Sequence, residues 1–140
     1  MLADLEIARV ADLARRSWAV RHPRSVRVLS RGDRLDGLFV VLSGKLKLFM
    51  LSCNGDERII RVLQAGESFG EAIMFNGIPS PLFVDTLMQS ELAFLPEEVI
   101  TETLKRDPDF VLAMLRNMSG LMGVLITDLE TACMQNALQR

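Results

Sequence analysis

The sequence predicts a mainly β fold, a sandwich or barrel of short strands, joined to a long C-terminal helix. Three observations carry this. Between residues 26 and 95, short apolar or alternating runs, about eight in number, are separated by turns at regular spacing. Asn54-Gly55 stands between two alternating runs, a short-range hairpin signal because both central residues of a type I′ turn need positive φ. From Asp107 onward the apolar period changes from two to alternating threes and fours.

Taken in order, Leu2, Leu5, Val10 and Leu13 among charges predict a short amphipathic N-terminal helix. Val26-Arg27-Val28-Leu29 leads to a turn at Arg31-Gly32-Asp33. The continuous run Leu38-Phe39-Val40-Val41-Leu42 predicts a strand buried on both faces, turned by Ser43-Gly44. In the next strand Leu46, Leu48 and Met50 share one face and Lys45, Lys47 and Phe49 the other. Strands are expected over Glu57 to Leu63, Ser68 to Met74, Leu82 to Met88 and Ser90 to Leu95.

Pro96-Glu97-Glu98 and Asp107-Pro108-Asp109 are helix starts, since Pro suits the first position and acids complement the positive end. The second helix is expected to reach about Asn136. Val111, Leu115, Met118, Met122, Leu125, Leu129 and Ala132 form a heptad seam along it, the mark of helix pairing. The pattern runs to Arg140 without a helix stop, so a longer protein is expected. The reading divides at 107/108: an effector-binding barrel with its flanking helices over 1–107, and a dimerisation helix over 108–140.

Composition narrows the function. The chain has 140 residues, about half of them apolar, and a formal net charge of −2, which argues against a nucleic-acid-binding surface over the whole piece. Two cysteines, Cys53 and Cys133, make neither a disulfide framework nor a zinc spacing, nor can two thiols hold a four-cysteine iron–sulfur cluster. A cupin-type enzyme needs several histidines around its metal, and His22 is the only one. No signal peptide follows Met1, and the apolar run Phe110 to Ile126 is short for a membrane span and interrupted by Arg116-Asn117; a cytoplasmic protein without a membrane contact is expected.

The stretch GESFGEAIMFNGIPSPLFVDT, residues 66–86, begins like a phosphate cradle and then lacks a cation: no Arg or Lys occurs from Ser68 to Ala93. Gly66 and Gly70 are equally readable as turn glycines. Glu71 near a barrel interior is either an effector contact or a structural link, because buried carboxylates are usually paired or functional.

Arg31-Gly32-Asp33, Leu38 to Gly44 and Gly66-Glu67-Ser68-Phe69-Gly70-Glu71, in that order and followed by a long helix ending LETACMQNALQR, resemble the sensor half of the cyclic-AMP receptor protein and fumarate–nitrate regulator (Crp/Fnr) family. The resemblance covers nearly the whole chain. It implies a double-stranded β-helix (jelly roll) that holds an effector, a homodimer through the long helix, and DNA contact only through a domain beyond Arg140. It also implies that Gly70 and Glu71 meet ribose and phosphate. Pro81 and Leu82 stand where the family's phosphate-clamping Arg is found, so cyclic AMP is not the expected effector. Thr127 stands near the family's adenine-contacting hydroxyls.

EAIMF followed by a Pro-containing loop is similar to the haem-linked, nitric-oxide-responsive denitrification regulators of that family. The expected pocket takes Phe69, Gly70, Glu71, Ala72, Met74, Phe75, Pro81, Leu82 and Phe83 from the barrel, and Leu121, Met122, Leu125 and Thr127 from the helix. Such an apolar pocket suits a small-molecule or gas effector, with haem as the first candidate cofactor. His22 is the one histidine available to iron, and Met74 a weak alternative. Against this stand a cyclic-nucleotide-binding module with atypical phosphate contacts and a barrel without a ligand, kept for dimerisation.

Overall fold

The computed structural model describes residues 19–139. The amphipathic helix expected near the N-terminus lies outside them. Eight strands and three helices follow one another: β1 (Ala19–His22), β2 (Arg27–Leu29), β3 (Gly37–Ser43), β4 (Lys45–Leu51), β5 (Glu57–Gln64), β6 (Ser68–Phe69), α1 (Glu71–Asn76), β7 (Phe83–Thr86), β8 (Ser90–Pro96), α2 (Glu97–Arg106) and α3 (Pro108–Gln139). The strands form two antiparallel four-stranded sheets, in the orders β1-β8-β3-β6 and β2-β7-β4-β5. This is the expected jelly roll with its long C-terminal helix.

The apolar run of β3 has a simple cause. Leu38 and Val40 face outward into a cluster with Ile100 of α2 and Phe110 and Met114 of α3. Val41 points the other way, into the barrel, with Leu46, Leu63, Val84 and Leu92. A strand covered on both faces has no reason to alternate. The same division sorts β8: Leu92 packs inward, Ala93 and Leu95 toward the helices.

The β4 alternation places Leu46 and Leu48 inside, as expected. Phe49 lies on the outer face yet is buried, stacked on Phe83 with ring centroids 5.5 Å apart. The Arg27 guanidinium lies over both rings and the Lys47 ammonium over Phe49. Met50, expected on the inner face, is exposed instead, near the end of β4, where it lines a groove with Ile60 and Leu125. The hairpin beyond also departs from a two-residue type I′ turn. Its loop runs from Ser52 to Asp56, the Gly55 amide donates to the Ser52 carbonyl at 2.9 Å, and only Gly55 in it has positive φ. Such longer loops are built around ordinary turns, which do not require Asn54 to be left-handed.

Two further differences bear on the site. The strand expected over Ser68 to Met74 stops at Phe69, and α1 takes its place. Gly70 ends the strand at φ 101°, and its carbonyl accepts from the Met74 amide at 3.0 Å, the opening hydrogen bond of the helix. Ala19–His22, expected as lead-in, is a strand paired with β8, so His22 stands opposite Ser90.

The Asp107 carboxylate caps α3, accepting from the Asp109 amide at 3.0 Å and the Phe110 amide at 3.3 Å. α3 is long and apolar enough to cross a membrane by length and composition alone. Its N-terminal turns are packed on the barrel through Phe110, Ala113 and Met114, and further along Asp128 pairs with Arg58 at 3.6 Å.

Candidate functional site

A cavity of about 80 Å³ lies inside the barrel beneath α3. Its floor is apolar: Leu29, Leu48, Leu63 and Val84 come from the strands. One side is the stretch from Ser68 to Ile73, the other Ser80-Pro81-Leu82, and Leu121 of α3 closes it. The glycine in this wall is required by geometry. A Cβ on Gly70 would fall 2.8 Å from a Leu35 methyl, at a φ that L side chains rarely adopt.

Of the expected site residues, Phe69, Gly70, Glu71, Ala72, Pro81, Leu82 and Leu121 line this cavity. The others are placed elsewhere. Met74 packs into the helix-side core with Phe110, and Phe75, on the opposite side of α1, is exposed. Phe83 points to the outer face, because alternation in β7 sends Val84 inward. Met122 is exposed, and Leu125 lines a separate groove of about 500 Å³ with Met50 and Ile60 of the β4–β5 hairpin. The Thr127 hydroxyl donates to the Gly123 carbonyl at 3.0 Å, on the exposed side of its own helix.

The loop over 77–82 is braced by the Arg31-Gly32-Asp33 turn. The Ser80 amide donates to the Asp33 carbonyl at 2.8 Å, and the Gly32 amide to the Ser80 carbonyl at 2.7 Å. The buried Ser80 hydroxyl donates back to the Leu82 carbonyl at 2.8 Å. Arg34 Nη1 also donates to the Gly77 carbonyl at 3.1 Å, so the cation that braces this loop acts at its start and is not on the cavity wall.

The polar end of the cavity is a network. Glu71 is buried; its Oε1 accepts from the Ser68 hydroxyl and from Asn117 Nδ2 at 2.9 Å. Asn117 belongs to α3, and its Oδ1 accepts from Arg61 Nη1 at 3.3 Å. Arg61 Nη2 pairs with Glu67. Burial pushes the Glu71 carboxyl above the ordinary carboxylate range, against the opposing effects of its hydrogen bonds and of the Arg61 charge. Four members, Arg61, Glu67, Ser68 and Asn117, are not among the site residues expected from sequence. Arg61 had a signal: it stands two residues from inward-facing Leu63. Asn117 had another, as the polar break in an apolar helical run.

The raised Glu71 value has a consequence for stability. The native state holds this proton to higher pH than the unfolded chain does. Stability should therefore decline as pH rises from the ordinary value near 4.5 through the native one. Glu71→Gln keeps an oxygen acceptor and cannot ionise, so it should remove that decline. Urea midpoints across this pH range measure it; equal slopes for the two proteins contradict the assignment.

A haem iron needs an axial donor. His22 lies on β1 and not on the cavity wall, Met74 is in the core, and Cys53 and Cys133 are exposed. Among the described residues no cluster of metal-ligating side chains occurs. These residues do not fit a haem iron held in this cavity.

Two antiparallel sheets around a cavity that a glycine–glutamate loop and a long helix close make up a cyclic-nucleotide-binding type of jelly roll. The sequence model of the cyclic nucleotide-binding domain matches residues 19–107. The chain belongs to that family, and its relatives are regulators of the Crp/Fnr type. It is 30% identical over 110 residues to a probable transcriptional regulator, flp, of Lacticaseibacillus casei, covering 76% of this chain and 50% of that protein. The Thermus thermophilus catabolite activator protein matches with a TM-score of 0.64 at 25% identity, over 94% of this chain and 59% of the other. The heme domain of CooA from Rhodospirillum rubrum shares the fold, with a TM-score of 0.72 at 16% identity over 87% of each chain. The chain spans about half the length of the first curated relatives it matches.

Proposed function

We propose that this chain is the effector-sensing and dimerising part of a Crp/Fnr-type transcriptional regulator of the bacterial cytoplasm. Its effector is a compact, largely apolar molecule held in the cavity, and DNA is met through a separate domain. The observation that carries the reading is the double use of α3. Leu121 closes the cavity, while Leu115, Met122 and Leu129, one heptad apart, stand 54%, 60% and 66% exposed. A change in what fills the cavity then bears on the helix whose far face pairs with a second copy. An effector acts through such a difference between states.

The exposed stripe refines the expected seam. Val111, Met118 and Ala132 are half-buried, whereas Leu112 and Ile126 are exposed. The free apolar face therefore runs through Leu112, Leu115, Met122, Ile126 and Leu129, turned toward solvent from the line first drawn. Gly120 and Gly123 have open space where a Cβ would be, which leaves room for close approach by a partner helix. Light scattering at micromolar concentration should give twice the chain mass of 15.7 kDa. Met122→Asp with Leu129→Asp would bury unpaired charge in the seam and should give monomers. A monomeric parent chain contradicts the reading.

A further inference from the structure

The cavity is asymmetric. Leu29, Leu82 and Val84 make one part of its wall, and Arg61, Ser68 and Glu71 contribute the charged and hydroxyl groups of another. Resting on the effector reading above, we infer that Arg61 is the recognising cation of this site, and that it selects a compact apolar molecule bearing a carboxylate head. This replaces the clamp missing at Pro81 and Leu82 with a cation from a different strand.

Three observations support it. Arg61 is the one cationic side chain on the cavity wall among the described residues. It has five N–H donors, of which Glu67 takes one at Nη2 and Asn117 one at Nη1. The Asn117 bond, at 3.3 Å, is longer than the usual N–H···O range, so Nη1 is the donor most readily given up. A carboxylate is the head that a guanidinium meets with paired, charge-assisted hydrogen bonds. Neither neighbouring acid forbids this. Glu67 is turned to Arg61 and is itself partly exposed, and burial favours the neutral form of Glu71.

The same exchange reaches α3. Asn117 is held at both ends, by Arg61 at Oδ1 and by Glu71 and Ser68 at Nδ2. A head group that takes the Arg61 Nη1 hydrogen now given to Asn117 removes one of these ties at the helix itself. Occupancy of the cavity is thereby transmitted to the helix by a single hydrogen bond that changes partner.

The test uses three probes with one ring: benzoate, benzyl alcohol and benzylamine, titrated into the chain at neutral pH and followed by amide NMR shifts. Benzoate should bind at least about tenfold tighter than benzyl alcohol, with shifts at Ser68, Glu71 and Asn117, and benzylamine should be the weakest. Arg61→Gln should abolish the preference for benzoate while leaving benzyl alcohol binding in place. Glu67→Gln, which frees Arg61 from its partner, should tighten benzoate several-fold; this variant keeps the test open if Arg61→Gln does not fold. Equal or tighter binding of the alcohol, a preference that survives Arg61→Gln, or no gain on Glu67→Gln overturns the assignment of Arg61 while leaving an effector cavity. Binding of none of the three overturns the cavity reading as well.

Discussion

Phe110→Ala is expected to destabilise the chain by about 3–5 kcal/mol, the usual loss when a buried Phe is truncated and its space is not refilled. The position explains the size. Phe110 is fully buried and belongs to a cluster in which Leu38 and Val40 of β3, Ile100 of α2 and Met114 of α3 also take part. It stands in the first turn of α3, just after the Asp107 cap, so it fixes where the long helix leaves the barrel. β3, β8, α1 and α2 all meet α3 around it, which limits collapse into the void. The loss should also loosen Leu121, three turns further along the same helix, and with it the closure of the cavity. Urea unfolding measures the effect. Ile78→Ala, on an exposed loop, should stay within about 0.5 kcal/mol. A loss below about 1 kcal/mol for Phe110→Ala contradicts the packing described for α3.

Much of this architecture is legible in the sequence because it follows from burial and backbone rules that act locally. The unbroken run of β3 reports a strand covered on both sides. The helix starts at Pro96 and Pro108 report the missing donor and fixed φ of proline. Glu71 and Gly70 could be placed at the cavity from the resemblance and from the glycine spacing. The failures also have local causes. Phe83 and Val84 are both apolar, so pattern alone does not say which of them points inward, and Phe83, half-buried, is covered on the outer face by Phe49 and Arg27. Met74 is as apolar as any pocket residue, but a short helix turns it toward Phe110. Arg61 is near Glu67 in sequence but far from Asn117, and only the packing of α3 on the barrel brings those two together.

The second large effect concerns cyclic AMP, and it bears on what this site has become. A buried phosphate requires a partner charge, because leaving an ion unpaired in an apolar interior costs several kcal/mol. Pro81 and Leu82 supply none, and their loop is braced by Ser80 and Asp33 through backbone bonds. Arg61 lies beside Asn117 and Glu67 and not on the Ser80–Leu82 side of the cavity, so it does not stand in for a cation there. Loss of one buried charge pair lowers affinity by about 2–5 kcal/mol, roughly 30-fold to several-thousand-fold. The 80 Å³ cavity is also small beside the ~300–1,000 Å³ of common ligand sites. The direct measurement is a calorimetric titration of the chain with cyclic AMP at neutral pH. The account predicts no saturable heat at micromolar nucleotide; a dissociation constant of micromolar or tighter would contradict it.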